Sequence, residues 1–94
     1  MAEDIAVVSN PARNRFEINL DGHTAYAEYE LAGGVMTFTH TVVPEALGGR
    51  GLSKVLAKGA LESARERGLR VIPVCSVFDK YIHDNPAEQD LLGN

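Results

Sequence analysis

The segment Val42–Lys54, VVPEALGGRGLSK, constrains the chain more than any other stretch, because the apolar period changes across it. Before it, apolar and polar residues alternate; after it, apolar residues recur at helical spacing. Gly48, Gly49 and Gly51 stand at the joint. Glycine takes positive φ without steric cost and lets another group approach the backbone closely. The chain therefore passes from a strand, Val35–Val43 ended by Pro44, into a helix that starts near Gly51 and runs to about Arg67. The first amides of a helix lack intrahelical partners and lie at the positive end of its dipole. Such a joint is a ready anion site, most simply for phosphate.

Two phosphate loops can be set aside. A Walker loop ends in Gly-Lys-Ser/Thr, but Lys54 follows Ser53 and precedes Val55. A dinucleotide loop reads Gly-x-Gly-x-x-Gly; Gly49 and Gly51 supply its first half, and Lys54 stands where the third glycine belongs. Three glycines within four residues, with Arg50 among them, favour a phosphate site over a plain turn ahead of an amphipathic helix.

The order of elements follows from the same periods. Ile5–Val8 reads as a first short strand and Ser9–Asn14 as a turn. Arg15–Leu20 alternates, with Phe16, Ile18 and Leu20 on one face. Asp21-Gly22 is a hairpin signal, and Thr24–Leu31 alternates again. Gly33-Gly34 turns the chain into Val35–Val43, completing an antiparallel meander. The helix carries Leu52, Val55, Leu56, Ala60 and Ala64 on one stripe, and Gly68 suits its C-terminal end. Leu69–Cys75 reads as a buried, central strand interrupted by Pro73. Ser76–His83 reads as a short helix capped by Ser76 and broken at Asn85-Pro86, with at most one further turn over Ala87–Leu92. The fold class is α+β, a reduced α/β sheet with a main helix and short C-terminal helices.

Ninety-four residues make one domain, 1–94. The net charge of −4 gives no basic footprint for nucleic acid and suits a cationic or amine substrate. No apolar run approaches the ~20 residues of a membrane span. The acidic start MAEDIAVVSN lacks a signal peptide's basic and apolar regions, and one cysteine forms no internal disulfide, so the cytoplasm is expected. Asp79, His83 and Asp84 have no ligand spacing, and no metal is expected.

Taken in order, THTVVPEALGGRGLSKVL, then VIPVCS after one helix, then HDNPAEQDL resembles the small single-domain GNAT-like N-acetyltransferases. The resemblance spans about residues 5–92. The superfamily's pyrophosphate loop reads Gln/Arg-x-x-Gly-x-Gly/Ala; Gly51 matches its central glycine, while Gly48 and Ser53 depart from its ends. The resemblance implies an acetyl-CoA co-substrate held by Gly48, Gly49, Arg50, Gly51, Leu52, Ser53 and Lys54. It also implies a cleft between the fourth and fifth strands, where the backbone of Thr41, Val42 and Val43 meets the pantetheine arm beside Cys75 and Ser76. Pro73 suits such a break in pairing, since proline gives no ladder hydrogen bond, and suits a protected edge equally well.

Three side chains are implied for the chemistry. Cys75, two residues beyond Pro73 and hence expected on the same side of the strand, faces the thioester in the family; a lone cysteine is also often an inert core residue. His40, expected on the strand face with Met36, Phe38 and Val42, is either a base for the acceptor amine or a satisfied core histidine. Tyr81 lies where larger members place a general acid. Two functions fit: transfer of acetyl to a protein lysine or small amine, or a coenzyme A-binding module with little transfer. A monomer or weak homodimer is expected, without nucleic-acid or membrane partners.

Overall fold

The alternation between Arg15 and Val42 builds a sheet because each strand has one apolar row to bury. The structure, a computed structural model, describes residues 5–92. Its strands are β1 (Val8–Asn10), β2 (Arg15–Leu20), β3 (His23–Ala32), β4 (Val35–Val42) and β5 (Arg70–Pro73). They form one sheet in the order β1-β2-β3-β4-β5, antiparallel except for the parallel β4–β5 pair. Helix α1 (Leu52–Glu66) makes the crossover between β4 and β5, and α2 (Ser76–Asp84) follows β5. Short 3-10 turns occupy Pro11–Arg13, Glu45–Leu47 and Pro86–Leu91.

The core lies on one side of the sheet. Phe16, Ile18, Ala25, Ala27, Met36 and Phe38 face Leu56, Ala60 and Leu61 of α1 and Phe78 and Ile82 of α2. Phe38 stacks on Phe78 at 4.0 Å between centroids, which ties α2 to the centre of β4. Both helices thus cover the same face.

Several expectations needed correction. The first strand is Val8–Asn10 rather than Ile5–Val8, because Val7 packs inward against α1. There a Cβ built on Gly59 would sit 2.8 Å from Val7 Cβ, so the helix-interior glycine is explained by this crossing. The chain joins the sheet only at Val8, opposite Glu17. The turn expected over Ser9–Asn14 contracts to Pro11–Asn14, with Asn14 left-handed at φ 52°. The fifth strand is an edge strand of four residues, not a central one. Its apolarity misled, since Ile72 and Val74 are exposed. The last 3-10 segment, Pro86–Leu91, is longer than the single turn expected.

Candidate functional site

The glycine joint is positioned by its neighbours on both sides. Leu47 and Leu52 are buried and anchor the loop in the core, leaving Gly48–Gly51 to arch over the surface between them. Gly49 and Gly51 are left-handed, at φ 79° and 68°. Gly51 caps α1 without any side-chain hydrogen bond. Gly48 N–H donates to Glu45 O, and the next backbone bond along the chain is donated by Lys54 N–H to Gly51 O at 3.2 Å. Among the described residues, the amides of Gly49 to Ser53 therefore donate to no backbone carbonyl.

The charges at this end run against the fold's own interest. The first turn of α1 contains no acid and carries Lys54 instead. A cation beside a helix N-terminus is unfavourable, whereas an acid there stabilises by about 0.3–1 kcal/mol. An anionic ligand would offset both the bare amides and the misplaced lysine. Arg50 is held differently: its Nη1 lies 2.9 Å from Asp21 Oδ2 in the β2–β3 turn. Asp21 is a partner that sequence reasoning missed, since nothing local links a hairpin turn to a loop so far along the chain.

The cleft between β4 and β5 forms at Pro73. The two strands pair from Val35↔Arg70 to Phe38↔Pro73 and no further. Val74 N–H folds back to Ile72 O at 3.2 Å, and Cys75 N–H donates to Phe38 O at 2.9 Å. Beyond that point β4 is paired only with β3, so Thr41 and Val42 have no strand on their other edge among the described residues. Val43 follows directly and packs against the core. Pro73 thus lies both at a sheet edge and at a break in pairing.

Cys75 reaches this gap by the turn at Val74 rather than by strand alternation, which stops at Pro73. Its thiol donates to Thr41 Oγ1 at 3.3 Å, joining the two sides of the cleft. Cys75, not Ser76, is the N-cap of α2; Ser76 is the first helical residue and makes no side-chain cap bond.

His40 is not on the face expected. Glu28 pairs with His40 but Tyr29 pairs with Phe38, leaving Thr39 as an extra residue in β4. One added residue reverses the alternation. Met36 and Phe38 point inward before it and Thr41 lies on that inner row after it, while His40 and Val42 pass to the outer face. The His40 side chain is 72% exposed, with Nδ1 3.8 Å from Glu28 Oε1.

Tyr81 stands on α2, half-buried against the core. Burial, with smaller contributions from Glu88 and Glu62, raises its phenol above the usual range, so at neutral pH it keeps its proton and can donate it in a hydrogen bond. It lines a groove of about 370 Å³ together with Ser53 and Lys54 of α1 and Val77, Lys80, Asp84 and Asn85. The groove reaches the last of the bare amides at Ser53. Lys80 Nζ bonds Asp84 Oδ2 at 2.9 Å, and this contact holds the Asp84 carboxyl below its ordinary range. Asp79, His83 and Asp84 share α2. Among the described residues no three His, Cys, Asp or Glu side chains gather as a metal would require.

A family model described as GCN5-related N-acetyl-transferase matches residues 15–91 of this chain. Protein NATD1 of Mus musculus is 37% identical over 90 residues, covering 93% of this chain and 82% of that protein. Protein NATD1 of Xenopus tropicalis is 34% identical over 93 residues, covering 96% and 85%. The solution structure of a GCN5-like candidate N-acetyltransferase from Staphylococcus aureus matches with a TM-score of 0.73 at 27% identity, over 99% of this chain and 92% of that one.

Proposed function

The chain belongs to the GCN5-related N-acetyltransferase family, and from that membership and the geometry of the glycine joint we propose that it transfers an acetyl group from acetyl-CoA to an amine. The observation that carries the reading is the run of amides from Gly49 to Ser53 without backbone partners, next to a cleft lined by Thr41 and Cys75. The diphosphate would lie on those amides, with Lys54 adding charge and Gly48 and Leu52 shaping the loop from either side. The edge of Thr41, Val42 and Val43 left open by β5 offers backbone groups to an amide-bearing arm, and Cys75 and Ser76 border its end.

The chemistry asks for a neutral amine, a fixed acetyl donor and a proton for the departing thiolate. Positioning alone can supply effective molarities of ~10⁵ M or more, so direct attack needs no covalent step. The amine nitrogen bonds the acetyl carbon and gives up one proton to water, the carbon–sulfur bond breaks, and the thiolate takes up a proton. Tyr81, which borders the groove beside Ser53 and Lys54, is the donor available on α2. Cys75 lines the site in this route; in the alternative it carries the acetyl group first. His40, exposed on the opposite face, meets the amine only if the acceptor approaches from there. That exposure is also what favours the second reading, a coenzyme A-binding module with little transfer. The protein acts as a monomer or weak dimer in the cytoplasm, without a metal.

Calorimetric titration with acetyl-CoA tests the shared site: Lys54→Ala should weaken binding about tenfold, the equivalent of one charge-assisted contact. Unchanged affinity would remove the loop from the site. Turnover with amine acceptors then separates the enzyme from the binding module. Cys75→Ala should retain turnover, and mass spectrometry of the protein with acetyl-CoA alone should find no acetyl-cysteine. Lost turnover with an adduct on Cys75 would establish the covalent route.

A further inference from the structure

The arch between Leu47 and Leu52 has few fixings of its own. Both leucines are buried, but three of the four residues between them are glycines. Gly49 and Gly51 are left-handed, and a Cβ built on either would have no atom within 4 Å. Gly48 N–H donates to Glu45 O, and among the described residues no amide from Gly49 to Ser53 donates to a backbone carbonyl. Glycine gives up more conformational freedom on ordering than any other residue. An arch of this composition keeps one shape only if a contact from outside fixes it.

Arg50 makes that contact, as the one residue of the arch with a side chain. Its Nη1 lies 2.9 Å from Asp21 Oδ2 in the turn between β2 and β3. The turn is a firm anchor. Leu20 pairs with His23, so Asp21 and Gly22 alone make it, and both are left-handed, at φ 52° and 77°. Two left-handed residues match the twist of the flanking strands, and those strands bury Ile18 and Ala25 in the core. The guanidinium's charge is therefore already matched by a carboxylate. Lys54 has no ion pair among the described residues, and Asp84, which shares its groove, is bonded to Lys80.

We infer, resting on the acetyl-transfer reading above, that Asp21 is a positioning residue for the coenzyme. It holds Arg50, and through Arg50 the arch, so that the bare amides of Gly49 to Ser53 keep one arrangement for the diphosphate. Arg50 then serves the diphosphate through the shape of the loop, and Lys54 supplies the charge. The gain is one of preorganisation, since a loop already fixed loses less freedom when the ligand arrives. Its size is set by solvent: Arg50 is 39% and Asp21 59% exposed, and ion pairs at such positions are individually weak.

The experiment measures acetyl-CoA affinity by calorimetry for the full chain carrying Asp21→Gly, Asp21→Asn, Arg50→Gln, or Asp21→Gly with Arg50→Gln, after thermal melts show that each folds. Glycine and asparagine both suit a left-handed turn position; the first removes the side chain and the second only its charge. Asp21→Gly should weaken acetyl-CoA about three- to fivefold, the scale of one exposed ion pair, and Asp21→Asn by less. Arg50→Gln should match Asp21→Gly, and the double variant should be no weaker than either. S-acetylpantetheine, which lacks the diphosphate, should bind the parent and every variant alike. In the transfer assay KM for acetyl-CoA should rise by the same factor while kcat holds. Unchanged affinity in Asp21→Gly would leave the pair without a part in the site. Tighter binding in either Asp21 variant would make Asp21 a competitor of the diphosphate, and a further loss in the double variant would put Arg50 on the ligand itself. Each of these three results would overturn the inference. Failure of the parent chain to bind acetyl-CoA would instead break the underlying acetyl-transfer reading.

Discussion

At its C-terminal end α1 is tied down by its own chain, whereas at its N-terminal end its polar groups are left open. Arg65 reaches both carboxylate oxygens of Asp90 at 2.7 and 2.9 Å, Glu88 Oε1 at 3.0 Å and the Ala87 carbonyl at 3.1 Å. The carbonyls there are also closed: Gly68, at φ 68°, donates to Arg65 O, and Leu69 donates to Ala64 O. That pair of bonds completes a left-handed C-terminal cap. The N-terminal end has a glycine cap without a side-chain bond, no acid in its first turn and a lysine in an unfavourable place. A helix of fifteen residues thus has one end closed by its own chain and one whose first amides are left open.

The sharpest way to break the contrast is Ser53→Glu. An acid in the first turn should raise stability slightly, by about 0.3–1 kcal/mol, while the same charge repels a diphosphate. We expect acetyl-CoA affinity to fall about 100-fold, consistent with a like-charge contact of a few kcal/mol near a surface, and the melting temperature to hold or rise. Calorimetry and a thermal melt read both signs at once. Equal affinity would show that the open end is not a ligand site. Ser53 is preferable to Gly51 for this purpose, because any side chain at Gly51 strains its φ of 68° and mixes folding with binding.

The middle of the helix gives the next effect. Alanine for glycine in a helix interior normally gains about 1 kcal/mol. At Gly59 the added Cβ would meet Val7 Cβ and Cγ2 at 2.8 Å, so we expect Gly59→Ala to lose about 1–2 kcal/mol in denaturant unfolding. In a Val7→Gly background, which removes the Val7 Cβ as well as its methyls, the same change should be stabilising. A gain in both backgrounds would place Val7 away from the helix.

At the tied end, Arg65→Ala should lower the melting temperature and leave acetyl-CoA affinity unchanged, the reverse of Ser53→Glu. A change in affinity would mean that the two ends are coupled through the helix. Acid should act weakly in the same place. Arg65 hydrogen bonding holds the Asp90 carboxyl below its ordinary range. A carboxyl depressed in the folded state stabilises above its unfolded pKa and loses that contribution as pH falls through the folded one. Stability should therefore decline below about pH 4, and Asp90→Asn should flatten that decline without changing stability's response near neutrality.

Part of the proposed site was legible residue by residue. Three clustered glycines and a helix starting beside them can be read from the sequence, and the structure keeps them at the same joint; the missing acid in the first turn shows only once the helix start is fixed. Asp21-Gly22 and Gly33-Gly34 set the hairpins because each turn needs positive φ, which all four residues adopt. The fate of His40 was not legible. Alternation predicts its face correctly until Thr39, and only the pairing of β4 with β3 shows that Thr39 is skipped. Cys75 resisted similarly: its side depends on a turn at Val74 and on the carbonyl of Phe38, a residue on another strand.

The difference is one of range. Turns, periods and helix ends rest on φ preferences and hydrogen bonds within a few residues, so local chemistry suffices for them. Strand order, the bulge in β4, the exposed edge at β5 and the Arg50–Asp21 contact depend on segments far apart in the chain meeting in a particular register. Register follows from how a whole apolar face packs, and no single segment carries that information.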